Sequence, residues 1–388
     1  MPVYHRLGDI PHKRHTQFRQ PDGSLYAEEL FGTMGFDGAY SLLYHHHSPT
    51  EVVSYEQLTD KPLPDYLPDS NNLRHHHLRL GRSKPEGDFV SGRKFVMRND
   101  DIAIGVVTPN ARMDYFFSNG NQDELIFVHD GTGKFLSTFG SLEYRPGDYI
   151  VVPKGTVYQM ELDLDKEQRF LVVETPGLLQ LPRRYYNEMG QLLEHAPFYV
   201  RDFRLPQPMV PKNESGDFLV KVRTWRSLMA YHLGHHPFDV VGWDGYLFPY
   251  ILNINDFEPI TGRIHQPPSV HQTFAGQNFV VCSFVPRLFD YHPQAIPVPY
   301  NHSNLQSDEV LYYVNGNFMS RRGIERGSLT MHPCGIPHGP HPGTVEASLG
   351  ASKTDEVAVM IDTFKPLRLT EDALLFDDAN YPLSWVAK

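Results

Sequence analysis

The sequence predicts a mainly β protein made of two related barrels, and three observations carry that expectation. Short alternating strand texts run from about residue 102 to 175, separated by the turn signals "NGN", "DGTG" and "RPGD". Similar text resumes at "FDVVGWDGYLFPY" and continues to "EVAVMIDTF". The two stretches share a skeleton of acid, glycine and proline at matching offsets. Regularly spaced short strands with such turns indicate a sandwich or barrel, not βαβ units. A shared skeleton indicates that one unit is repeated.

Taken in order, residues 1–100 are polar and turn-rich and hold two histidine triplets, at 45–47 and 75–77. Neighbouring side chains on a strand point to opposite faces, so a triplet cannot give three ligands to one site. Packing or surface roles are expected for both. The prolines of "DKPLPDYLPDS" (60–70) make it a loop. The strands expected next are "IAIGVVT", "MDYFFS", "ELIFVH", "KFLSTF", "GDYIVVP", "VYQMEL" and "FLVVET". Residues 177–230 are mixed, with "RRYYNEMGQLLEH" the best short helix candidate. Later strands are "NFVVCSFVPRLF", "EVLYYVNGNF", "SLTMHP" and "EVAVMIDTF". The expected division is an N-terminal β-rich region, 1–230, with its barrel core at about 102–175, and a C-terminal barrel, 231–388.

At 388 residues the chain exceeds what one core usually organises. Its 40% hydrophobic and 12% aromatic content can fill a sizeable core. A formal charge of −11 argues against nucleic acid or an anionic membrane as the main partner, because both demand basic patches. Two cysteines, Cys282 and Cys334, are too few for a disulfide scaffold and fit a reducing compartment. The polar N-terminus lacks a signal-peptide core, and no run approaches about eighteen apolar residues, so a cytoplasmic protein is expected. The outlying number is 21 histidines. Histidine is the commonest transition-metal ligand and the proton carrier of neutral pH.

The repeat concentrates the chemistry. "ELIFVHDG" leaves six residues between Glu124 and Gly131, and "EVLYYVNG" leaves the same number between Glu309 and Gly316. "GDYIVVPKGTVY" (147–158) and "GSLTMHPCGIPH" (327–338) both read G-x5-P-x-G-x2, ending on Tyr158 and His338. This skeleton resembles the two motifs of the cupin barrels. The resemblance implies a double-stranded β-helix fold, with a degenerate N-terminal copy and a metal-binding C-terminal copy. The second copy supplies His302, Asn304 where the pattern has its second histidine, Glu309 and His338, with Ile296 and Pro342 departing from the pattern at its ends. His302, Glu309 and His338 would then face one lumen as a 2-His-1-carboxylate set, which leaves one face of an octahedral ion open. Loss of the second histidine favours iron. Asp308 should face the other way on its strand and is the fallback carboxylate.

Four stretches, "HKRHTQFRQPDGSLYAEELFGTMGF", "GRIHQPPSVHQTF", "VPRLFDYHPQAIPVPYNHSN" and "IPHGPHPG", resemble the homogentisate 1,2-dioxygenase family in its shorter bacterial forms. The likeness extends over nearly the whole chain. It implies Fe(II) in each chain, and cleavage of homogentisate by O2 to maleylacetoacetate in tyrosine and phenylalanine catabolism. It also implies a trimer-based homo-oligomer. Carried over residue by residue, the iron ligands fall on His302, Glu309 and His338. The family's acid–base histidine falls on His265, 37 residues before His302, and a second active-site histidine on His332. Two residues separate His265 from its "PS" pair where the long forms have none, and the step from His302 to Glu309 is one residue longer than theirs. Phe318 stands where the long forms have a tyrosine near the substrate. Phe318, His341 and Arg263 are the substrate-side candidates, Arg287 is a second anion partner, and His271 is the rival base. Two other functions remain open: a dioxygenase for another dihydroxy-aromatic acid such as gentisate, or a non-catalytic cupin binding protein.

Overall fold

A computed structural model describes residues 3–68, 73–316 and 318–386. The first barrel is a pair of apposed sheets. One has eight strands in the spatial order Phe203–Arg204, Tyr250–Asn253, Asp148–Val152, Asp123–Asp130, Arg169–Thr175, Ala103–Val107, Lys94–Arg98 and Arg368–Leu369. The other has seven, in the order Gly140–Tyr144, Gly133–Ser137, Val157–Leu162, Phe116–Asn119, Ser215–Arg223, Leu228–His235 and Ser54–Thr59. Ile126, Val128, Ile150 and Val172 from the first meet Phe117, Phe135, Tyr158 and Met160 from the second in one core. The alternate residues of the same strands, Leu125, Phe127 and Val173, join a second core with Val310, Tyr312 and Ile361 of the C-terminal barrel. A sheet buried on both faces explains why "IAIGVVT" and "FLVVET" read as near-continuous apolar runs.

The C-terminal barrel is mainly β like the first. Its principal sheet has six strands in the order Gln272–Gly276, Phe279–Phe284, Val357–Thr363, Asp308–Asn315, Leu329–His332 and His76–Leu78. The repeat is visible in backbone geometry. Gly131 and Gly316 have φ of 100° and 102°, Gly147 and Gly327 of 88° and 77°, and Gly155 and Gly335 of 82° and 79°. Each pair occupies a left-handed turn that side chains resist, so both copies keep the glycine. This is the duplicated cupin barrel that the skeleton predicted.

In the first copy Glu124 is fully buried, and its partner is no longer a histidine. The Tyr158 hydroxyl donates to Glu124 Oε2 at 2.7 Å, and Arg93 pairs with both Glu124 and Glu174. Arg223 completes the cluster against Glu174. A guanidinium thus supplies the positive charge that Glu124 needs, with no metal ligand left to replace.

Several expectations require correction. The segment 183–195 is not a helix beyond the single turn Arg183–Tyr185. Asn187 Oδ1 accepts from the amides of Met189 and Gln191, and Gly190 turns at φ 77°, so the chain reverses there instead of winding. The division after residue 230 does not follow the sheets, because Val240–Gly245 pairs with Asp37–His45, and Tyr250–Asn253 with Asp148–Val152. Strands also cross the other way: His76–Leu78 closes the C-terminal sheet, and Arg368–Leu369 joins the first. The hairpin Ala27–Met34 and Asp37–His45 arises in what read as turn-rich sequence, since its outward face is largely polar or exposed. The proline-rich loop at 60–70 is irregular where described, and Asp69 and Ser70 lie outside the described residues. Among the described residues no helix is long and apolar enough to cross a membrane.

Candidate metal centre

Three strands and two loops build the site. Asp308–Asn315 runs between Leu329–His332 and Val357–Thr363, which sets Glu309 opposite His332 on one side and Asp362 on the other. Strand alternation turns Asp308 outward, where its two carboxylate oxygens accept from the amides of Cys334 and Leu367 at 2.7 and 2.6 Å. Asp308 therefore ties the loops of the barrel together and leaves the lumen to Glu309. Cys334 takes part through its backbone.

His302 and His338 lie on loops that the backbone locks together. The amide of each donates to the carbonyl of the other, both at 2.9 Å, so the two rings stand 4.2 Å apart. Each Nδ1 donates to the carbonyl two residues earlier, Tyr300 at 3.2 Å and Ile336 at 3.3 Å. Those bonds fix the tautomer and leave both Nε2 lone pairs free, as metal-binding histidines require. Each Nε2 lies 3.4 Å from an oxygen of Glu309. The three ligand atoms lie within 4.8 Å of one another. His338 Nε2 is buried without a hydrogen-bond partner. Two imidazole lone pairs and a carboxylate converging on one point, with an orphaned nitrogen among them, fit a divalent transition metal.

The electrostatics agree. Burial alone would raise the Glu309 carboxyl, but His302, His332 and His338 hold it well below the usual carboxylate range. His332 Nδ1 donates to Glu309 Oε1 at 2.9 Å, and its ring stacks on His338 at 4.5 Å. Burial pushes His332 down to about 3, so it is neutral and can serve as a fixed donor. His332 meets the site through its bond to Glu309.

The other sequence candidates are spread around this centre. His265 is partly exposed, lies 3.7 Å from Asp290, and sets its ring edge on Tyr300, the residue whose carbonyl holds His302. It borders a cavity of about 420 Å³ with Tyr300, Asn301 and Pro340. His271 is buried between Phe257 and Phe284, and burial drives it down to about 3. Phe318 packs edge-on against Tyr313 at 4.7 Å and lines a smaller cavity of about 190 Å³ with Arg321. His341 is buried, accepts from the Arg322 amide, and packs on Trp385. Arg263 is exposed, while Arg287 is held over the Phe284 ring.

Three contributors escaped the sequence reading. His75, expected in a packing or surface role, sits against His332 and His338 at 5.3 and 6.0 Å, and its Nε2 is 3.2 Å from the carbonyl of Pro337. The His76–Leu78 strand carries it there by pairing with Leu329–His332, a non-local register that no local signal announces. Arg321 donates to the carbonyl of Gly339, next to His338, and among the described residues makes no ion pair. Asp362 is raised to about 7 by burial and by the neighbouring charge of Glu309. Its one signal in sequence is an acid within the apolar run "VAVMIDTF".

A family model described as homogentisate 1,2-dioxygenase N-terminal matches residues 8–254. A Saccharolobus solfataricus protein, provisionally named a dioxygenase, is 42% identical over 388 residues and covers 99% of each chain. The homogentisate 1,2-dioxygenase of Bradyrhizobium diazoefficiens is 26% identical over 311 residues, 75% of this chain and 68% of its own. Among solved structures, a cupin 2 conserved barrel domain protein of Leptotrichia buccalis aligns over 74% of this chain and 96% of its own, at 9% identity and a TM-score of 0.33.

Proposed function

This chain belongs to the homogentisate 1,2-dioxygenase family, and from that premise we propose that it is an Fe(II)-dependent enzyme that opens the ring of homogentisate with O2. The product would be maleylacetoacetate, in tyrosine and phenylalanine breakdown. The observation that carries this reading is the donor set of His302, Glu309 and His338, with both histidine Nε2 atoms held free. Two imidazoles and one carboxylate suit non-haem Fe(II) and leave a face for substrate and oxygen. Bound there, Fe(II) would supply Lewis acidity toward a phenol and redox chemistry toward O2.

The chain's own groups supply the rest. His265, in the lining of the cavity, takes the phenol proton and later returns it, with Asp290 beside Nδ1 to steady the charged ring. His332 holds Glu309 in place by its fixed Nδ1 bond. Arg321 offers a cation beside the triad for a substrate carboxylate. Substrate and O2 are the small-molecule partners, and a trimer-based homo-oligomer is the assembly we propose.

The test is anaerobic loading with Fe(II), followed by oxygen uptake and the ultraviolet band of a ring-opened product with homogentisate. A fully iron-loaded protein inert to both homogentisate and gentisate overturns the reading. Phe318 favours a second reading, in which another dihydroxy-aromatic acid is the substrate, because it removes a hydroxyl from the substrate side. Ranking substituted hydroquinones and catechols by kcat/KM separates the two.

A further inference from the structure

Asp362 lies on the lumen face of the C-terminal sheet, beside the triad but outside its donor set. It stands directly opposite Glu309 in the antiparallel ladder, and Glu309 stands opposite His332 on its other side. Directly opposed residues project to the same face, with Cβ atoms about 5 Å apart. His332, Glu309 and Asp362 therefore form one row across three strands. Two members of the row are bonded to each other. The third is not: Asp362 Oδ1 is buried and has no hydrogen-bond partner. The residue as a whole is partly buried. Its oxygens do not join the group of three ligand atoms.

A buried carboxylate oxygen without a donor is costly, and native proteins rarely keep one idle. A donor brought by a ligand would satisfy it. A carboxylate accepts from a hydroxyl and repels another carboxylate, so the part of an aromatic acid suited to this place is a hydroxyl. We propose that Asp362 accepts a hydrogen bond from the ring hydroxyl that does not face the His302–Glu309–His338 triad. It thereby selects dihydroxy- over monohydroxy-aromatic acids. This rests on the reading of the site as one for dihydroxy-aromatic acids. It adds the group that reads the second hydroxyl. Sites built around a buried acceptor reject ligands that lack the matching donor, because the acceptor is then left unpaired.

Anaerobic calorimetry on the Fe(II)-loaded protein tests this without turnover, using 2,5-dihydroxyphenylacetate and 2-hydroxyphenylacetate. The wild type is expected to prefer the dihydroxy compound by roughly tenfold, the worth of one good hydrogen bond. In Asp362→Ala that preference should fall to within about twofold, with affinity for the monohydroxy compound and iron content unchanged. Asp362→Asn, which keeps the shape, covers the case in which the alanine variant does not fold, and it should lose at least about half of the logarithmic preference. Wild type that binds the two compounds equally, or neither, overturns the proposal. So does a full preference in the variants, or loss of iron from them. Failure of the proposed reaction is read separately, as wild type that shows the preference but opens no ring.

Discussion

At the residue scale, the site depends on which nitrogen of each histidine is left free. His302 and His338 each spend Nδ1 on a backbone carbonyl and keep Nε2 for the centre. His338→Ala removes one of three donors, and its iron content after reconstitution should fall below about a tenth of wild type, as metal analysis would show. His265→Ala leaves the donors untouched, so iron should stay near wild type while kcat drops by about a hundredfold or more, the usual worth of a positioned acid–base group. A His265→Ala enzyme as fast as wild type would remove His265 from the proton path. His271 would be a poor replacement, since it is buried away from the cavity and hard to protonate.

At the element scale, the two copies of one strand pattern show how a site is made or erased. Glu309 and Glu124 occupy the same place in the repeat. One faces histidines, and the other faces Arg93 and Tyr158. Arg93→Ala would leave Arg223 as the cation facing two buried glutamates. Breaking such a cluster costs about 3–5 kcal/mol, and thermal unfolding should show a fall of several degrees in Tm. Arg93→Lys should recover part of it. The short strand His76–Leu78 makes the complementary point, because it is an N-terminal element that carries His75 into the C-terminal barrel. His75 Nε2 approaches the Pro337 carbonyl, one residue before His338. His75→Ala is expected to weaken metal binding by about tenfold, measured by competition with a chelator, since outer groups that orient a ligand are worth that much. An unchanged metal affinity would reduce His75 to packing.

At the scale of the whole molecule, the N-terminal hairpin is fastened to the segment between the barrels by an ionic cluster. His45 is buried, with Nδ1 2.7 Å from Asp239 and Nε2 3.0 Å from Glu29. Burial alone would lower its pKa, but the two carboxylates raise it to about 9. The folded state therefore holds a proton that the unfolded chain releases near pH 6.5. The stabilisation, on the order of 3 kcal/mol, is complete below about pH 6.5 and is lost as pH rises through about 9. Comparing Tm of wild type and His45→Gln at pH 6 and pH 9.5 should show a large difference at the first and a small one at the second. Equal differences at both would mean that His45 is neutral in the fold.

The duplicated barrel and the grouping of His302, Glu309 and His338 were legible in adjacent residues. Glycines in left-handed turns, a proline before the ligand loop and one acid at a set offset are local demands, and local demands are written in adjacent residues. The ladder then decided what adjacency cannot express. Which strand lies beside Glu309 depends on register between segments far apart in the chain, and that register chose His332 and Asp362 as its neighbours. Pairing over still longer separation chose His75 from a triplet whose pattern marked none of its members. It also carried the first unit to Asn253, past a boundary drawn from text alone. Long-range hydrogen bonding is set by the free energy of the whole packed sheet, so tertiary structure alone could settle these positions.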